Sequence, residues 1–134
     1  MSPETFSNLK NQQFNRIPLV REVLADLDTP LSTYLKLANA PYTYLFESVQ
    51  GGEKWGRYSM IGLPCKKVVK ISGHEISQYD NDQLVSKQSV DDPLQWIHDY
   101  QETFTVYEDE SLPRFTGGLV GYFGYETIAY IEKR

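Results

Sequence analysis

Side chains that can hydrogen-bond are concentrated in one short part of the chain, residues 44–62. It begins with apolar residues of high β propensity, passes through Gly51-Gly52, and continues as a second strand that we expect to begin near Arg57. The hydrogen-bonding residues of its central part are Glu47, Ser48, Glu53, Lys54, Trp55, Arg57, Tyr58 and Ser59. This capacity exceeds what a turn requires. The pattern therefore predicts a β-hairpin with a long polar tip that could bind a ligand.

The tip has both a structural and a functional interpretation. In the structural one, Glu47 pairs with Arg57 across the strands and Trp55 covers the core; such a cross-strand pair contributes roughly 0.2–1 kcal/mol. In the functional one, the Ser48 hydroxyl, the Glu47 carboxylate and free backbone groups at the strand ends line a pocket. An amino acid would fit such a pocket, because its ammonium and carboxylate groups need opposite partners in one cavity. The residues alone leave both interpretations open.

Residue types that often carry catalysis are sparse in the rest of the chain. His74 falls in a predicted turn and His98 on a polar helix face, and neither has a partner at a metal-ligand spacing. Cys65 has no activating motif, so we expect a small, partly buried apolar residue. The glycine-rich run 117–124 matches neither common phosphate-binding loop, which favours close backbone packing in a strand. The sequence thus predicts no catalytic or metal site.

Composition restricts the class of protein further. The 134 residues are 40% hydrophobic and 13% aromatic, which indicates one folded domain. A net charge of −5 argues against a nucleic-acid-binding surface. The single cysteine excludes an internal disulfide and favours a reducing compartment. Because neither a secretory signal nor an apolar run of roughly 20 residues is seen, we expect a cytoplasmic protein that does not enter membranes.

Three cap-plus-proline pairs predict helix starts, at Ser2-Pro3, Thr29-Pro30 and Asp92-Pro93. A fourth helix is predicted over 126–134. The strands predicted outside the hairpin cover 17–25, 66–71, 75–79, 84–87 and 115–125, the last as a buried glycine-rich strand. The three central ones form an antiparallel meander. Helices and strands mix without βαβ alternation, so the predicted class is α+β, with antiparallel sheets and packed helices.

Several segments together resemble a known family. These are LFES at 45–48, GGEKWGRYSMIG at 51–62 and FTGGLVGYFGYE at 115–126, with RIPLV at 16–20 and TPLSTYL at 29–35 upstream. They strongly resemble the N-terminal region of anthranilate synthase component I. The block at 51–62 is specific to that family, whereas the glycine-rich block is shared with other chorismate-using enzymes. The resemblance covers nearly the whole chain, residues 1–134.

The resemblance implies an enzyme that converts chorismate and an ammonia source into anthranilate and pyruvate with Mg²⁺. The ammonia usually comes from glutamine through a partner amidotransferase subunit. It also implies that the chorismate and Mg²⁺ residues belong to a C-terminal chorismate-binding domain outside the region seen here. The chain would then be an N-terminal domain with no catalytic activity and no cofactor of its own.

The resemblance further implies a site for the feedback inhibitor, L-tryptophan. In the family this cleft is partly lined by the segment that matches Leu45 to Ser48. Glu47 and Ser48 are the expected contacts by position, and Arg57, Tyr58 and Ser59 would line or support the site. Phe46 stands where the common family pattern has a leucine, which alters local packing but leaves the Glu-Ser pair intact.

Two other assignments stay open at this point. One is the N-terminal domain of aminodeoxychorismate synthase component I, in which the Glu-Ser and Trp-Gly-Arg-Tyr-Ser blocks are usually degraded. The other is a free-standing amino-acid-binding module that uses the same domain. For the anthranilate synthase reading, the resemblance also implies exposed apolar surface that normally faces the C-terminal domain. Such a surface favours self-association of the chain, for example by a swap of residues 126–134.

Overall fold

A computed structural model of the chain describes residues 3–10, 12–47, 58–113 and 115–132. The chain divides into two units, and each has its own contacts. One comprises residues 23–89, and the other combines residues 1–22 with residues 90–134. Helices and antiparallel sheets occur together without βαβ alternation, so the α+β class is confirmed.

In the unit of residues 23–89, the described residues form one helix and two sheets. Helix α2 covers Pro30–Leu37, and the hairpin consists of β1 (Tyr44–Glu47) and β2 (Ser59–Gly62). A three-stranded sheet follows, with strands β3 (Lys67–Ser72), β4 (Glu75–Asp80) and β5 (Gln83–Ser89) in the order β3-β4-β5. Both sheets are antiparallel. The predicted hairpin and meander are therefore confirmed, although β2 begins at Ser59 rather than near Arg57.

Short turns determine the meander. Gly73-His74 joins β3 to β4, and Gly73 has a φ of +55°, which glycine adopts without the steric cost of a Cβ atom. Asn81-Asp82 joins β4 to β5, with φ values of +50° and +62°. Two-residue connections with positive φ match the right-handed twist of the strands. In the central strand Ile76 is completely buried, so the sheet has an apolar anchor at its middle.

The unit formed by residues 1–22 and 90–134 contains helices α1 (Pro3–Lys10) and α3 (Pro93–Glu102). The Asp92 carboxylate accepts hydrogen bonds from the backbone N–H groups of Leu94 and Gln95, each at 3.0 Å, and so caps α3 as predicted. The cap predicted at Ser2 lies outside the described residues. Three aromatic rings follow one another along and beyond α3, at Trp96, Tyr100 and Phe104, with centroids 5.1 and 5.3 Å apart.

The strand predicted over 17–25 is wrong. The β pairing next to this segment is one isolated parallel bridge, between Arg16 and Val106. The backbone that follows Arg16 is irregular, and apolar residues such as Leu24 are strongly exposed. The physical reason is that Pro18 has no N–H to donate, and the described residues offer no further ladder partner for this segment.

The buried strand predicted over 115–125 is also wrong. The segment carries no strand assignment, and Tyr122 is 93% exposed. Gly117 and Gly118 have φ values of +139° and +153°, a conformation open almost only to glycine. Burying a strand on both faces requires neighbours on each side, and the described residues supply none for this segment. The helix predicted over 126–134 is confirmed in part, as a 3₁₀ turn at Tyr125–Thr127 followed by α4 (Ile128–Ile131).

Candidate functional site

The hairpin sorts its side chains onto two faces. The four paired positions are Tyr44 with Gly62, Leu45 with Ile61, Phe46 with Met60, and Glu47 with Ser59. Because successive side chains of a strand point to opposite faces, Leu45 and Glu47 share one face, and Tyr44 and Phe46 share the other. Ile61 and Ser59 complete the first face. We call this set of Leu45, Glu47, Ser59 and Ile61 the Glu47 face.

Three of the predicted site residues come together on the Glu47 face. Glu47 and Ser59 lie directly opposite each other at the end of the ladder, and both are exposed. Leu45 is two residues away on the same strand and is half-buried, as is its partner Ile61. The face therefore combines an apolar surface with a carboxylate and a hydroxyl beside it. A ligand with an amino group and an apolar body matches this combination.

Of the other predicted site residues, Tyr58 is described, and it does not join this cluster. Tyr58 precedes β2, makes no ladder pair, and is 68% exposed. Ser48 and Arg57 lie outside the described residues, as does Trp55. Their roles, and the predicted pair between Glu47 and Arg57, stay predictions. Within the described part of the hairpin, the residue opposite Glu47 is Ser59.

Helix α2 supports the hairpin from one end of the unit. It contacts both β1 and β2. The Tyr34 hydroxyl lies 2.9 Å from the Thr43 hydroxyl, and Thr43 directly precedes β1. The Thr43 hydroxyl also donates to the Ala40 carbonyl at 2.7 Å. These contacts hold the start of the strand that carries Leu45 and Glu47.

The N-terminus of α2 is stabilised by a reciprocal cap. The Thr29 hydroxyl accepts from the Ser32 N–H at 3.1 Å, and the Ser32 hydroxyl accepts from the Thr29 N–H at 3.0 Å. Asp28 accepts from the Ser32 hydroxyl at 2.9 Å and forms an ion pair with Lys36 at 2.6 Å. The hydrogen bond from Lys36, followed by that from Ser32, lowers the pKa of Asp28 below its ordinary value.

A cation between two rings links the start of the hairpin to the meander. The Lys70 ammonium lies 4.9 Å from the centre of the Tyr79 ring and 5.7 Å from that of Tyr42. Its hydrogen bond with Tyr42 raises the pKa of Lys70. Tyr42 has a φ of +58°, which is unusual for a bulky residue and implies local strain. Lys70 therefore contacts the residue at which this unusual backbone conformation occurs.

Sequence reasoning overlooked the pair at the other end of the ladder. Gly62 is buried, and a Cβ atom added there would lie 2.6 Å from Tyr44 Cζ and nearer still to Cδ1 and Cε1. The Tyr44 ring thus occupies the space that a side chain at position 62 would need. The Tyr44 and Phe46 rings are also in contact, with centroids 4.8 Å apart. The available signal was a glycine at the end of a strand that faces an aromatic residue.

A groove lies in the unit formed by residues 1–22 and 90–134. It has a volume of about 340 Å³ and is lined by Pro18, Val20, Glu22, Tyr107, Asp109, Ser111 and Leu112. Its central carboxylate, Asp109, accepts hydrogen bonds from Ser111 and from the Tyr107 hydroxyl. The Ser111 bonds, followed by that of Tyr107, lower the pKa of Asp109. Since this carboxylate is occupied by its own loop, the groove is a weaker ligand candidate than the Glu47 face.

The other residues considered for chemistry lie on the surface. His74 is in the turn before β4 and His98 is on an exposed face of α3, as predicted. Cys65 is exposed, so the expectation of a partly buried residue is wrong; its thiol donates to the Lys67 carbonyl at 3.1 Å instead of packing against apolar side chains. Among the described residues, no three His, Cys, Asp or Glu side chains are grouped to hold a metal ion.

Length and hydropathy determine whether a helix can span a membrane. In the part of the chain that the structure describes, no helix is both long and apolar enough to cross a bilayer.

Comparison with curated proteins identifies relatives along the whole chain. The chain is 52% identical over 134 residues to anthranilate synthase component 1 of Pseudomonas putida, which covers all of this chain and 27% of the relative. The corresponding protein of Neisseria meningitidis serogroup B is 57% identical over 132 residues, or 98% of this chain and 27% of the relative. The protein of Aquifex aeolicus is 41% identical over 123 residues.

These relatives are much longer than the chain, which spans about a quarter of their length. No family model matches the chain, and no solved structure matches it. The alignment with the Pseudomonas putida protein nevertheless covers all 134 residues of the chain, at 52% identity. The chain is therefore a homologue of the N-terminal region of anthranilate synthase component 1.

Proposed function

We propose that the chain is the regulatory N-terminal domain of an anthranilate synthase component 1, and that its hairpin contributes to a site for the inhibitor L-tryptophan. The observation that carries the proposal is the pairing of Glu47 with Ser59 beside half-buried Leu45 on one face of the hairpin. In this proposal Glu47 receives the ammonium group of the amino acid. Ser59 and the neighbouring Ser48 supply hydroxyls, and Leu45 contacts the apolar side chain of the ligand.

Physical chemistry supports this division of roles. A carboxylate and an ammonium form a charge-assisted hydrogen bond that is roughly twice as strong as a neutral one. Because Glu47 is exposed, that bond competes with water, and selectivity must come from contacts that exclude water. Arg57 and Tyr58, which precede β2 in the sequence, are proposed to line or support the site.

The whole enzyme in this proposal uses chorismate and glutamine-derived ammonia to form anthranilate and pyruvate. Catalysis is assigned to a C-terminal chorismate-binding domain of the same polypeptide, and ammonia to an amidotransferase subunit. Mg²⁺ is assigned to that C-terminal domain as well. The matched region, a cytoplasmic domain in this proposal, would then control the reaction without performing it.

One consequence is that this chain forms only part of the inhibitor site. A partial site must still offset the loss of translational and rotational freedom of the ligand, so its affinity is reduced. We therefore expect weak binding of L-tryptophan by this chain and tighter binding by a full-length component 1 polypeptide that contains it.

Calorimetric titration with L-tryptophan tests the proposal. D-tryptophan and L-phenylalanine are the ligand controls, and Ser48→Ala and Glu47→Gln are the site variants. Matched controls are Ser72→Ala on β3 and Glu102→Gln at the end of α3, both exposed positions outside the hairpin. The proposal predicts stereoselective binding that either site variant weakens by about tenfold, the loss of one charge-assisted contact, and that both controls keep.

The titration has two informative outcomes besides this one. Binding that is absent in this chain but present in the full-length polypeptide, and sensitive there to the same two variants, would support a site completed by the second domain. Absence of binding in both proteins would contradict the tryptophan site.

A further inference from the structure

In the sequence, residues 48–58 separate β1 from β2. Turns of two to five residues determine which residues pair, whereas a longer separation does not fix one alignment by its length alone. Among the described residues the ladder has four pairs. Within the described part of the hairpin, a register signal must come from these paired positions.

A slip would destroy the Glu47 face. A shift of one residue moves every side chain of one strand to the opposite face, so Glu47 would no longer share a face with Ser59. A shift of two residues keeps the faces but separates the two residues along the strands. Any ligand site built from both of them thus depends on this one alignment.

Tyr44 and Gly62 supply the missing signal. The Tyr44 ring lies across Gly62, in the space where any other residue would place its Cβ atom. Gly62 has an ordinary φ, so the glycine is needed for space and not for its backbone conformation. The residues that a slip would bring opposite Tyr44 are Met60, Ile61, Leu63 and Pro64. All of these carry side chains, so in each slipped alignment the ring would have to leave its observed position.

We infer that Tyr44 and Gly62 form a register lock, and that both are positioning residues for the ligand face of the hairpin. The lock acts through Glu47 and Ser59, since it determines that these two residues lie opposite each other. The part of this inference that concerns a ligand rests on the proposed function; the part that concerns the register does not. Neither residue needs to touch the ligand.

A double-mutant cycle read by NMR tests the lock without a ligand. The variants are Gly62→Ala, Tyr44→Ala, the double variant, and the conservative Tyr44→Phe. A cross-strand contact between Glu47 and Ser59 reports the native register in every variant. In the parent chain and in Tyr44→Phe, an upfield shift of the Gly62 Hα protons beneath the ring at position 44 is a second signal. Cross-strand contacts between Lys70 and Ser77 in the meander report whether each variant is folded.

The lock predicts that Gly62→Ala lowers the native-register population by about tenfold while Tyr44 is present, and has no further effect once Tyr44 is alanine. Tyr44→Phe keeps the ring and should keep both signals. Native signals that persist in Gly62→Ala would overturn the inference. So would an equal effect of Gly62→Ala in both backgrounds. If Gly62→Ala does not fold, Tyr44→Ala carries the test, since it creates no clash and must still loosen the register.

The same variants are then titrated with L-tryptophan. A positioning role predicts that affinity falls about tenfold in each variant that loses the register and is kept in Tyr44→Phe. Unchanged affinity in a variant that has lost the register would overturn the positioning role. A register cycle that behaves as expected in a chain that binds no tryptophan would support the lock and count against the proposed function.

Discussion

The two sheets of the unit formed by residues 23–89 reach their structures by different means. In the meander, connections of two residues bring neighbouring strands together, and Ile76 is fully buried at the middle. In the hairpin, residues 48–58 separate two strands of four residues, and Phe46 is 53% exposed. The meander is thus determined locally. The described strands of the hairpin contact helix α2, and Tyr44 and Gly62 contact each other across them.

This difference between the two sheets bears on which of them carries the proposed ligand site. A locally determined sheet is a stable support, and a segment with few apolar contacts can respond to a ligand because it opens at low cost. The Glu47 face lies on the less firmly held sheet. We therefore expect changes to the meander to affect stability most, and changes around the hairpin to affect ligand binding more than stability.

The largest predicted effect on stability concerns the core of the meander. Ile76→Ala removes a fully buried side chain from the central strand and should lower the free energy of unfolding by about 2–5 kcal/mol. Urea denaturation measures the change. Leu84→Ala is the matched control, since Leu84 is 52% exposed on β5 and should cost far less. Equal losses in the two variants would contradict the assignment of the core.

A smaller effect is expected at the helix that supports the hairpin. Thr29→Ala removes the hydroxyl that accepts from the Ser32 N–H, and should cost about 1 kcal/mol. Thermal unfolding measures it. Thr33→Ala, the same change within α2, is the control and should be nearly neutral because alanine favours helix interiors. If Thr29→Ala unfolds at the same temperature as the parent, α2 is stabilised by its packing and not by the cap.

The meander turn offers a prediction of opposite sign. Asp82 has a φ of +62°, which glycine adopts without strain, so Asp82→Gly should stabilise the sheet by about 0.5 kcal/mol. Asp82→Ala is the paired control and should destabilise it, because alanine tolerates this conformation less well than aspartate. Denaturation midpoints of the two variants give the sign. A loss of stability in Asp82→Gly would mean that contacts of the Asp82 side chain stabilise the turn more than its positive φ destabilises it.

The smallest effect depends on pH. The pKa of Asp28 is lowered in the folded chain, so its stabilisation of α2 is present above its ordinary value of 3.8 and is lost as pH falls through the lowered pKa. The Asp28→Asn variant should therefore be less stable than the parent near about pH 7, and the difference should close in acid. Asp26→Asn, the same change at an exposed aspartate outside this pair, is the control for the loss of one negative charge. Carboxyl NMR shifts of Asp28 that titrate at or above 3.8 would contradict the lowered pKa.

Local signals in the sequence were sufficient for the elements that local chemistry determines. Two cap-plus-proline pairs start helices, at Thr29-Pro30 and Asp92-Pro93. The turn between β4 and β5 is formed by Asn81-Asp82. Each of these signals acts on backbone groups a few residues away. The segments 17–25 and 115–125 have strand-like composition but no ladder in the described residues. Strand formation needs a partner distant in sequence, and composition does not show whether a partner is present.

The candidate site was predictable to a similar extent. Resemblance to the family singled out Leu45, Glu47 and Ser59, and the strand register then placed them on one face. The Tyr44–Gly62 contact was not predicted, because a glycine at a strand end has several possible roles until its neighbour is known. The role of Ser48 is still carried by the resemblance alone.

The most direct test compares the two sheets in one experiment. ¹⁵N-labelled chain is titrated with L-tryptophan, and the amide shifts of Leu45, Glu47 and Ser59 are followed beside those of Ser77 and Lys87 in the meander. We expect saturable shifts on the Glu47 face, little change in the meander, and no response to D-tryptophan. Saturable shifts centred on the meander, or shifts that do not distinguish the two enantiomers, would contradict a regulatory tryptophan site on the hairpin.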